Sequence, residues 1–236
     1  MSILNEGETY YPSFDFAAGE ILLIDKPYRW TSFDVVKKIR NTIKIKKVGH
    51  AGTLDPLATG LLIVCTGKKT KTINEIQSLE KTYEGSLVLG KTTASFDLEK
   101  EVIDVASIDS LSEDAIHNAV QQLKGEIEQV PPVFSAVKID GKRAYEHARK
   151  EEKIELKARK VHIYEFDITA INLPEISFRI VCSKGTYIRS IARDLGEILE
   201  VGAYLSSLNR TAIGHFSLES AYDLSEFIKH LKNNKD

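Results

Sequence analysis

The sequence predicts an α+β protein built on a mixed, mainly antiparallel central sheet that is flanked by helices. Three observations predict this class. Apolar runs and alternating apolar residues, which are typical of strands, lie between segments whose apolar residues recur at helical spacing. These segments follow no regular strand–helix–strand rhythm, which disfavours a purely parallel sheet. The chain has 236 residues and is 42% hydrophobic, which is enough for the core of one large domain.

In the first half of the chain, a short apolar run predicts a buried strand at Ile21–Ile24. One residue of the pair Thr31-Ser32 can cap a helix over Val35–Ile43, where the apolar positions have helical spacing. A glycine-rich loop then leads into a predicted strand at Gly60–Cys65, and alternation predicts another strand at Tyr83–Leu89.

In the second half, helical spacing after a capping serine predicts a helix at Ser112–Leu123. A segment containing proline, lysine and glycine follows, and its Asp140-Gly141 dipeptide is typical of a hairpin turn. The remaining predicted elements are strands at Val161–Thr169, Glu175–Cys182 and Ile213–Leu218, and helices at Tyr187–Glu200 and Leu224–Leu231. We expect residues 1–236 to form a single domain.

Charge is distributed unevenly along the chain. The net charge of −2 argues against a protein that coats nucleic acid nonspecifically. Between Val35 and Asn74, however, Asp55 is the only acidic residue. Such clustering of bases is typical of a polyanion site, although the helical lysines also fit a solvated helix face. The basic residues of this stretch are Lys37, Lys38, Arg40, Lys44, Lys46, Lys47, Lys68, Lys69 and Lys71.

Targeting signals and cysteines indicate the compartment. No apolar run approaches the ~20 residues that span a bilayer. Met1–Asp15 has neither the basic start nor the apolar core of a signal peptide. Cys65 and Cys182 lie far apart, each in an apolar run. We therefore expect two buried thiols in a cytoplasmic protein with no membrane partner, and a single disulfide is the alternative.

The most informative segment is the loop Gly49–Gly60, which contains three glycines and a proline. Glycines permit tight turns and a close approach of the backbone to a ligand. Asp55 stands between Leu54 and Leu57, so its carboxylate is expected to be partly desolvated and to need a partner. Catalytic carboxylates share these properties. An ordinary Asp-Pro turn is the alternative interpretation of this segment.

This loop and the apolar strand after it resemble the signature of the TruB family of pseudouridine synthases. Further motifs of the family occur in the same order along nearly the whole chain. They are Leu23-Ile24-Asp25-Lys26-Pro27, Lys81-Thr82-Tyr83, Gln129-Val130-Pro131-Pro132, Ser135-Ala136-Val137-Lys138 and Cys182–Arg189. The resemblance implies the pseudouridine synthase fold with an RNA-clamping insertion at about residues 131–159. It also implies a chain without a C-terminal RNA-binding domain, since the sequence ends at Asp236, soon after the catalytic core.

The resemblance further implies the residues of the active site. Asp55 is the implied essential aspartate, and Arg189 pairs with it and keeps it ionised. Tyr83 is implied to stack on the target uracil and to take the proton from C5. The implied substrate-binding residues are His50, which helps to extrude the base, Tyr187 and Leu208 in the pocket, Lys26 and Asp97 in support, and Lys142 and Arg143 in the insertion.

The implied reaction is the isomerisation of the uridine at position 55 in the T-loop of transfer RNA. The uridine must leave its stack before its glycosidic bond can be reached. The reaction includes neither a redox step nor hydrolysis, so no metal or organic cofactor is expected. The expected partner is the T-arm stem-loop, bound by a monomer that needs no other protein.

Two alternative functions stay open at this stage. One is a synthase that acts on another RNA hairpin, and the other is a non-catalytic RNA-binding protein that keeps the old pocket. The presence of Asp55, Tyr83 and Arg189 together favours an enzyme, because binding alone does not require these three residues.

Overall fold

A computed structural model describes residues 11–135, 138–139, 142–143 and 156–233. The described strands are β1 (Ile21–Lys26), β2 (Val48–His50), β3 (Thr59–Thr66), β4 (Lys81–Leu89), β5 (Lys91–Thr93), β6 (Val102–Asp104), β7 (Gly125–Gln129), β8 (Lys138–Ile139), β9 (Lys142–Arg143), β10 (Arg159–Asn172), β11 (Glu175–Cys182), β12 (Ala203–Ile213), β13 (Phe216–Ser217) and β14 (Tyr222–Asp223). The described α-helices are α1 (Ser32–Ile43), α2 (Ile73–Ser78), α3 (Glu113–Gln122), α4 (Ile188–Ile198) and α5 (Leu224–Asn233). Single 3-10 turns lie at Gly67–Thr72 and Leu218–Ser220.

Within these residues, ten strands form one mixed sheet, and the predicted α+β class is confirmed. The strands are hydrogen-bonded in the order β14-β1-β3-β12-β4-β11-β10-β7, with β2 paired to β3 and β13 paired to β12. Neighbours are antiparallel except for the β1–β14 and β3–β12 pairs. The short strands β5 and β6 form a separate hairpin.

Helices pack on the sheet through the apolar faces that the sequence predicts. One core cluster joins α3 and α4 to the long strands β4, β10, β11 and β12. A second joins α1 and α5 to β1 and β3. Helix α1 begins with a capping box: the Thr31 hydroxyl accepts from the Asp34 amide, and the Asp34 carboxylate accepts from the Thr31 amide. Thr31 is therefore the cap of the two candidates.

The two halves of the sheet meet where β3 lies beside β12. The contact is brief: Asn209 and Arg210 pair with Thr59 and Gly60. Gly60 has a φ of +97°, and a Cβ placed there would lie 2.4 Å from the Arg210 carbonyl oxygen. Glycine is required at this position, because other residues are strained at this φ and because a Cβ would clash with β12. The junction places the end of the Gly49–Gly60 loop directly against β12.

The sequence prediction was wrong in the region around Ile213. A strand was expected at Ile213–Leu218, whereas Ile213 ends the long strand β12 and only Phe216–Ser217 is extended beyond it. Polar residues at Ser206, Ser207 and Asn209 hide the alternation of β12. This strand is stabilised by its ladder with β4 rather than by a local apolar pattern. Elements that the sequence did not predict also include α2 and β7.

The predicted insertion is described only in part. Strands β8 and β9 pair antiparallel, Ile139 opposite Lys142, as the predicted hairpin requires. The turn at Asp140-Gly141, the side chains of Lys142 and Arg143, and residues 144–155 lie outside the described residues. In the described part of the chain, no helix is both long enough and apolar enough to cross a membrane.

Candidate active site

Asp55 lies in the loop between β2 and β3, in a cleft that the sheet junction forms. Its side chain is 35% exposed, so the carboxylate reaches the cleft. The residue before it is fixed by α1, because the buried Ser32 hydroxyl donates to the Leu54 carbonyl at 3.1 Å and accepts from the Leu54 amide at 2.8 Å. The backbone that carries Asp55 is thus tied to the start of a helix.

Lys26 holds the same loop from the other side of Asp55. Its side chain is completely buried. Its ammonium donates to three backbone carbonyls, those of Pro27 at 2.9 Å, Trp30 at 2.6 Å and Pro56 at 3.3 Å. Burial lowers the pKa of Lys26 to about 8, against the opposing effect of the Asp55 carboxylate. The geometry gives Lys26 a supporting position behind the loop and not on the wall of the cleft.

Arg210 is the second buried cation that hydrogen-bonds the backbone around Asp55. It is 1% exposed. Its guanidinium donates to the carbonyls of Leu61 at 2.8 Å, Gly52 at 3.1 Å and Thr53 at 3.4 Å. Lys26 and Arg210 therefore hold the backbone after and before Asp55. A lone arginine in a polar strand resembles a surface residue, so Arg210 was not predicted as a site residue.

Arg189, on α4, contacts Asp55 directly. Its side chain is 4% exposed, and its Nε donates to Asp55 Oδ2 at 2.9 Å. Its two Nη atoms donate to the carbonyls of Ser95 at 3.3 Å and Phe134 at 2.8 Å. Burial lowers the pKa of Arg189, but the carboxylates of Asp55 and Asp97 outweigh this and raise it overall. The guanidinium is a fixed positive charge against the Asp55 carboxylate.

Asp97 supports Arg189 from behind. It is buried, and its Oδ2 lies 3.6 Å from Arg189 Nε. Its Oδ1 accepts from the Ser95 hydroxyl at 2.6 Å and from the Glu99 amide at 3.0 Å. These contacts hold the Asp97 carboxylate next to Arg189, where it helps to keep the guanidinium in place.

A cavity of about 550 Å³ opens on one side of Asp55. Tyr83 and Leu208, which the sequence assigned to the pocket, line it together with Tyr187. Tyr83 is 8% exposed. Burial raises the pKa of the Tyr83 hydroxyl, and the Arg210 guanidinium opposes this rise. The volume is typical of a small-ligand pocket, and the wall combines apolar and aromatic side chains with several charged ones, among them Lys81, Arg159 and Lys184.

Tyr187 is held from two sides. The Gln129 side chain accepts from the Tyr187 amide at 2.8 Å and donates to its carbonyl at 3.2 Å. The Arg159 guanidinium lies 4.7 Å from the centre of the Tyr187 ring, a distance typical of cation–π contact. Gln129 and Arg159 were not predicted as site residues, because each acts only through a partner that is distant in sequence.

Asp55 also lines a second cavity of about 660 Å³. His50 lines it, together with Phe33, Lys100 and Phe134. The two cavities share Thr53, Leu54 and Asp55. His50 and Tyr83 therefore line two different cavities that both include Asp55.

The lysines of the predicted basic stretch are at the surface. Lys37 and Lys38 of α1 are exposed and line a shallow cavity of about 350 Å³ with Arg29. Arg40 is different, because its guanidinium donates to the Val48 carbonyl at 3.0 Å.

Cys65 and Cys182 are both buried free thiols, which confirms the prediction of two buried thiols. Among the described residues, no three His, Cys, Asp or Glu side chains are arranged to hold a metal ion.

Comparisons with known sequences identify the family of the chain. Residues 40–188 match the model of the TruB family pseudouridylate synthase (N terminal domain). A tRNA pseudouridine synthase B of Flavobacterium johnsoniae is 50% identical over 92% of this chain and 98% of its own length. One of Phocaeicola vulgatus is 53% identical over 90% of this chain and 93% of its own length.

Solved structures give the same fold. A chain in a Cbf5-Nop10-Gar1 complex superposes with a TM-score of 0.70 at 30% identity, over 91% of this chain. A chain in an H/ACA RNP bound to a substrate RNA containing 2'-deoxyuridine superposes with a TM-score of 0.68 at 26% identity, over 91% of this chain. The present chain spans only about half of those two chains, 54% and 53%.

Proposed function

The chain belongs to the TruB family of pseudouridylate synthases, and we propose that it isomerises the T-loop uridine at position 55 of transfer RNA to pseudouridine. The family resemblance predicted from sequence is thereby confirmed. One observation carries the proposal to this chain: the Asp55 carboxylate is paired with the buried Arg189 at the mouth of a cavity that Tyr83 lines.

This arrangement favours catalysis over simple RNA binding. Taking Arg189 out of water costs free energy, which its contacts with Asp55 and with backbone carbonyls offset. A binding protein needs phosphate contacts at its surface, and a buried arginine makes none. A preformed ionised carboxylate beside a cavity is what an isomerase requires.

The chemistry assigns a role to each group. The bond from uracil N1 to ribose C1′ breaks, the base turns, and C5 bonds to C1′. The proton on C5 leaves and N1 gains one, so atoms balance without a co-reactant. Asp55 is the carboxylate that acts on the nucleotide, Arg189 orients it as its buried counter-ion, and Tyr83 is the proposed acceptor of the C5 proton.

The position of Asp55 between two cavities requires the uridine to leave its stack. A base in the T-loop stack cannot bring its C1′ to a carboxylate inside a cleft. The cavity of about 550 Å³ suits an extruded nucleotide. Leu208, Tyr187 and Tyr83 supply the apolar and aromatic walls that receive such bases. His50 lines the second cavity that includes Asp55, and its proposed role is to occupy the space that the base leaves.

The substrate is inferred from the relatives and from the charge of the surface. Both sequence relatives described above are named for tRNA. The exposed lysines Lys37 and Lys38 supply sites for phosphates. Lys142 and Arg143 of the insertion are proposed as further phosphate contacts. We propose that the chain alone, without a protein partner, binds the T-arm.

The test uses the purified chain and an unmodified tRNA transcript. Pseudouridine is marked with a carbodiimide and mapped by reverse transcription. A single product at position 55 is expected, absent with Asp55→Asn and absent from a transcript with cytidine at that position. Product at another hairpin would replace the T-loop assignment. Tight binding without any product would favour the non-catalytic alternative.

A further inference from the structure

The cavity that Tyr83 and Tyr187 line beside Asp55 has a strongly cationic wall. Asp55 is the only acid among the described residues that line it. The cations in the wall are Lys81, Arg159, Lys160, Lys184 and Arg210. A phosphodiester and an ionised carboxylate in one cleft repel each other. A cavity that admits a nucleotide to Asp55 therefore needs cations that face the phosphates of that nucleotide.

Three of these cations are already engaged by the protein. The Lys81 ammonium donates to two backbone carbonyls, at 2.6 and 2.5 Å. The Arg210 guanidinium donates to three. The Lys160 ammonium lies 2.8 Å from the Glu126 carboxylate. Because their donors or their charge are used inside the protein, these three groups have little left to offer a ligand.

The other two cations, Arg159 and Lys184, keep donors that the described part of the protein does not use. Arg159 is half-buried. Its Nη2 donates to the Gly185 carbonyl, whereas its Nε is buried without a hydrogen-bond partner among the described residues. Lys184 is exposed and lines the same cavity. Its ammonium makes neither a hydrogen bond nor an ion pair within the described residues.

The Arg159 guanidinium is fixed beside Lys184. It lies 4.7 Å from the centre of the Tyr187 ring, and a Cβ placed on Gly185 would lie 3.7 Å from its Cζ. The guanidinium therefore rests against the turn that also carries Lys184. An arginine that stacks on a ring uses its flat face, so N–H groups at its edge stay available. This edge matches the oxygens of a phosphate.

We propose that Arg159 and Lys184 form a phosphate-binding site at the mouth of this cavity, and that the site holds one of the two RNA phosphates that flank the extruded uridine. The proposal rests on the proposed function for the identity of that nucleotide. It deepens that function, because it names the groups that fix the RNA backbone at the active site. A fixed phosphate also restrains the ribose, whose C1′ must meet Asp55.

The first experiment removes the charge of one phosphate at a time. T-arm hairpins carry a neutral methylphosphonate 5′ of the uridine, 3′ of it, or in the stem as a control. A 2′-O-methyl ribose before the linkage prevents cleavage, and each reference RNA carries the same ribose. The wild type should bind one of the two flanking-linkage hairpins about tenfold more weakly than its reference, the effect of one charge-assisted hydrogen bond. The stem linkage should have a smaller effect.

Arg159→Gln separates a phosphate contact from mere support of Tyr187. This variant should bind the reference RNA about tenfold more weakly. It should lose little more with the neutral linkage, because the contact is already absent. If Arg159→Gln keeps the full penalty of that linkage, Arg159 only supports Tyr187 and the proposal is overturned. If neither flanking linkage weakens binding by the wild type, the site does not exist.

Two further variants serve as controls. Arg179→Gln removes an arginine that is paired with Glu165 and lines neither cavity of Asp55, so it should keep the full linkage penalty. Lys184→Ala guards against a folding defect, because this exposed side chain has no bond to lose. It should reduce the slope of log K against log salt by about 1 and lessen the same linkage penalty. An unchanged slope with an undiminished penalty would overturn the two-residue site.

The binding measurement does not depend on turnover, so failure of this site and failure of the proposed function are distinguishable. If the wild type makes no pseudouridine, but its linkage penalty depends on Arg159, the proposed function fails and the phosphate-binding site stands. If the wild type isomerises position 55, but the penalty is independent of Arg159, the site alone is wrong.

Discussion

Arg189 and Lys37 are both positively charged, yet they belong to two different kinds of region. Arg189 is 4% exposed and bonds one carboxylate and two carbonyls. Lys37 is exposed on α1. Charges in the interior are weakly screened and strongly coupled to their partners, whereas exposed charges are screened by salt and act almost independently. We therefore expect chemistry to depend on the interior region and RNA affinity on the exposed region, so that the two can be changed separately.

The largest effect is expected from Asp55→Asn, which tests the interior region. The amide keeps the shape of the carboxylate but cannot act as an ionised group, so turnover should fall by at least about 10⁴-fold. Because no phosphate contact is removed, the Kd for tRNA should stay nearly constant. Single-turnover assays and filter binding measure the two quantities. Substantial turnover by this variant would show that the buried pair does not carry the chemistry.

Tyr83→Phe should have the next largest effect. Phenylalanine keeps the ring that stacks on uracil but removes the proton acceptor, and general acid–base catalysis is worth about 10²–10⁴-fold. The rate should fall by that range while binding survives. The matched variant is Tyr83→Leu, which also removes the ring. If Tyr83→Phe is fully active and Tyr83→Leu is not, the ring matters and the proton-transfer role is wrong.

Arg189→Gln tests whether the interior charges are coupled. Removing one partner of a buried ion pair leaves Asp55 and Asp97 without their cation, which costs about 3–5 kcal/mol of unfolding free energy. Arg193→Gln, one turn further along α4, is the control. Its carboxylate partners are the adjacent Asp194 and Glu197, and because its side chain is 17% exposed, against 4% for Arg189, a smaller loss is expected there. Equal losses in urea denaturation would contradict the idea of a coupled interior.

The fold class could be predicted from sequence because apolar periodicity marks most strands and helices. The strand β12 could not, because Ser206, Ser207 and Asn209 interrupt its alternation and its stability comes from pairing with β4. Register and tertiary partners are properties of the assembled sheet. A single-sequence pattern does not contain them.

The candidate site, like the fold, could be predicted from sequence only in part. Asp55 and Arg189 are 134 positions apart, so only the order of family motifs suggested their pairing. Arg210 was missed because buried arginines and surface arginines have the same local sequence pattern. The distribution of His50 and Tyr83 over two cavities that share Asp55 is likewise a property of the fold. Residue identities were predictable where chemistry restricts the type, and geometry was not.

The buried Lys26 is expected to make the stability of the protein depend on pH. Its pKa is lowered by burial to about 8 from 10.5. Between these values the unfolded chain binds a proton that the folded chain lacks, so this lysine makes stability rise with pH there. The stability difference between the wild type and Lys26→Met should therefore shift in favour of the wild type by about 1–3 kcal/mol from pH 8 to pH 10. Urea denaturation at both pH values measures it. A constant difference would show that the three carbonyl acceptors keep the lysine protonated.

The smallest effects are expected at the exposed region, where Lys37→Ala and Lys38→Ala remove charges that nothing buries. Each phosphate contact that is lost should reduce the slope of log K against log salt by about 1. Affinity should fall by a few-fold for each variant, additively, with the single-turnover rate at saturating RNA unchanged. Lys229→Ala, an exposed lysine on α5 outside the basic stretch, removes the same charge and should leave the slope unaltered. Binding is measured at several salt concentrations for all three variants and for the double variant.

An equal change in Lys229→Ala would mean that overall charge, and not a local contact, attracts the RNA. A rate loss in Lys37→Ala that persists at saturating RNA would mean that the surface also positions the substrate, and the separation of chemistry from affinity would then be wrong.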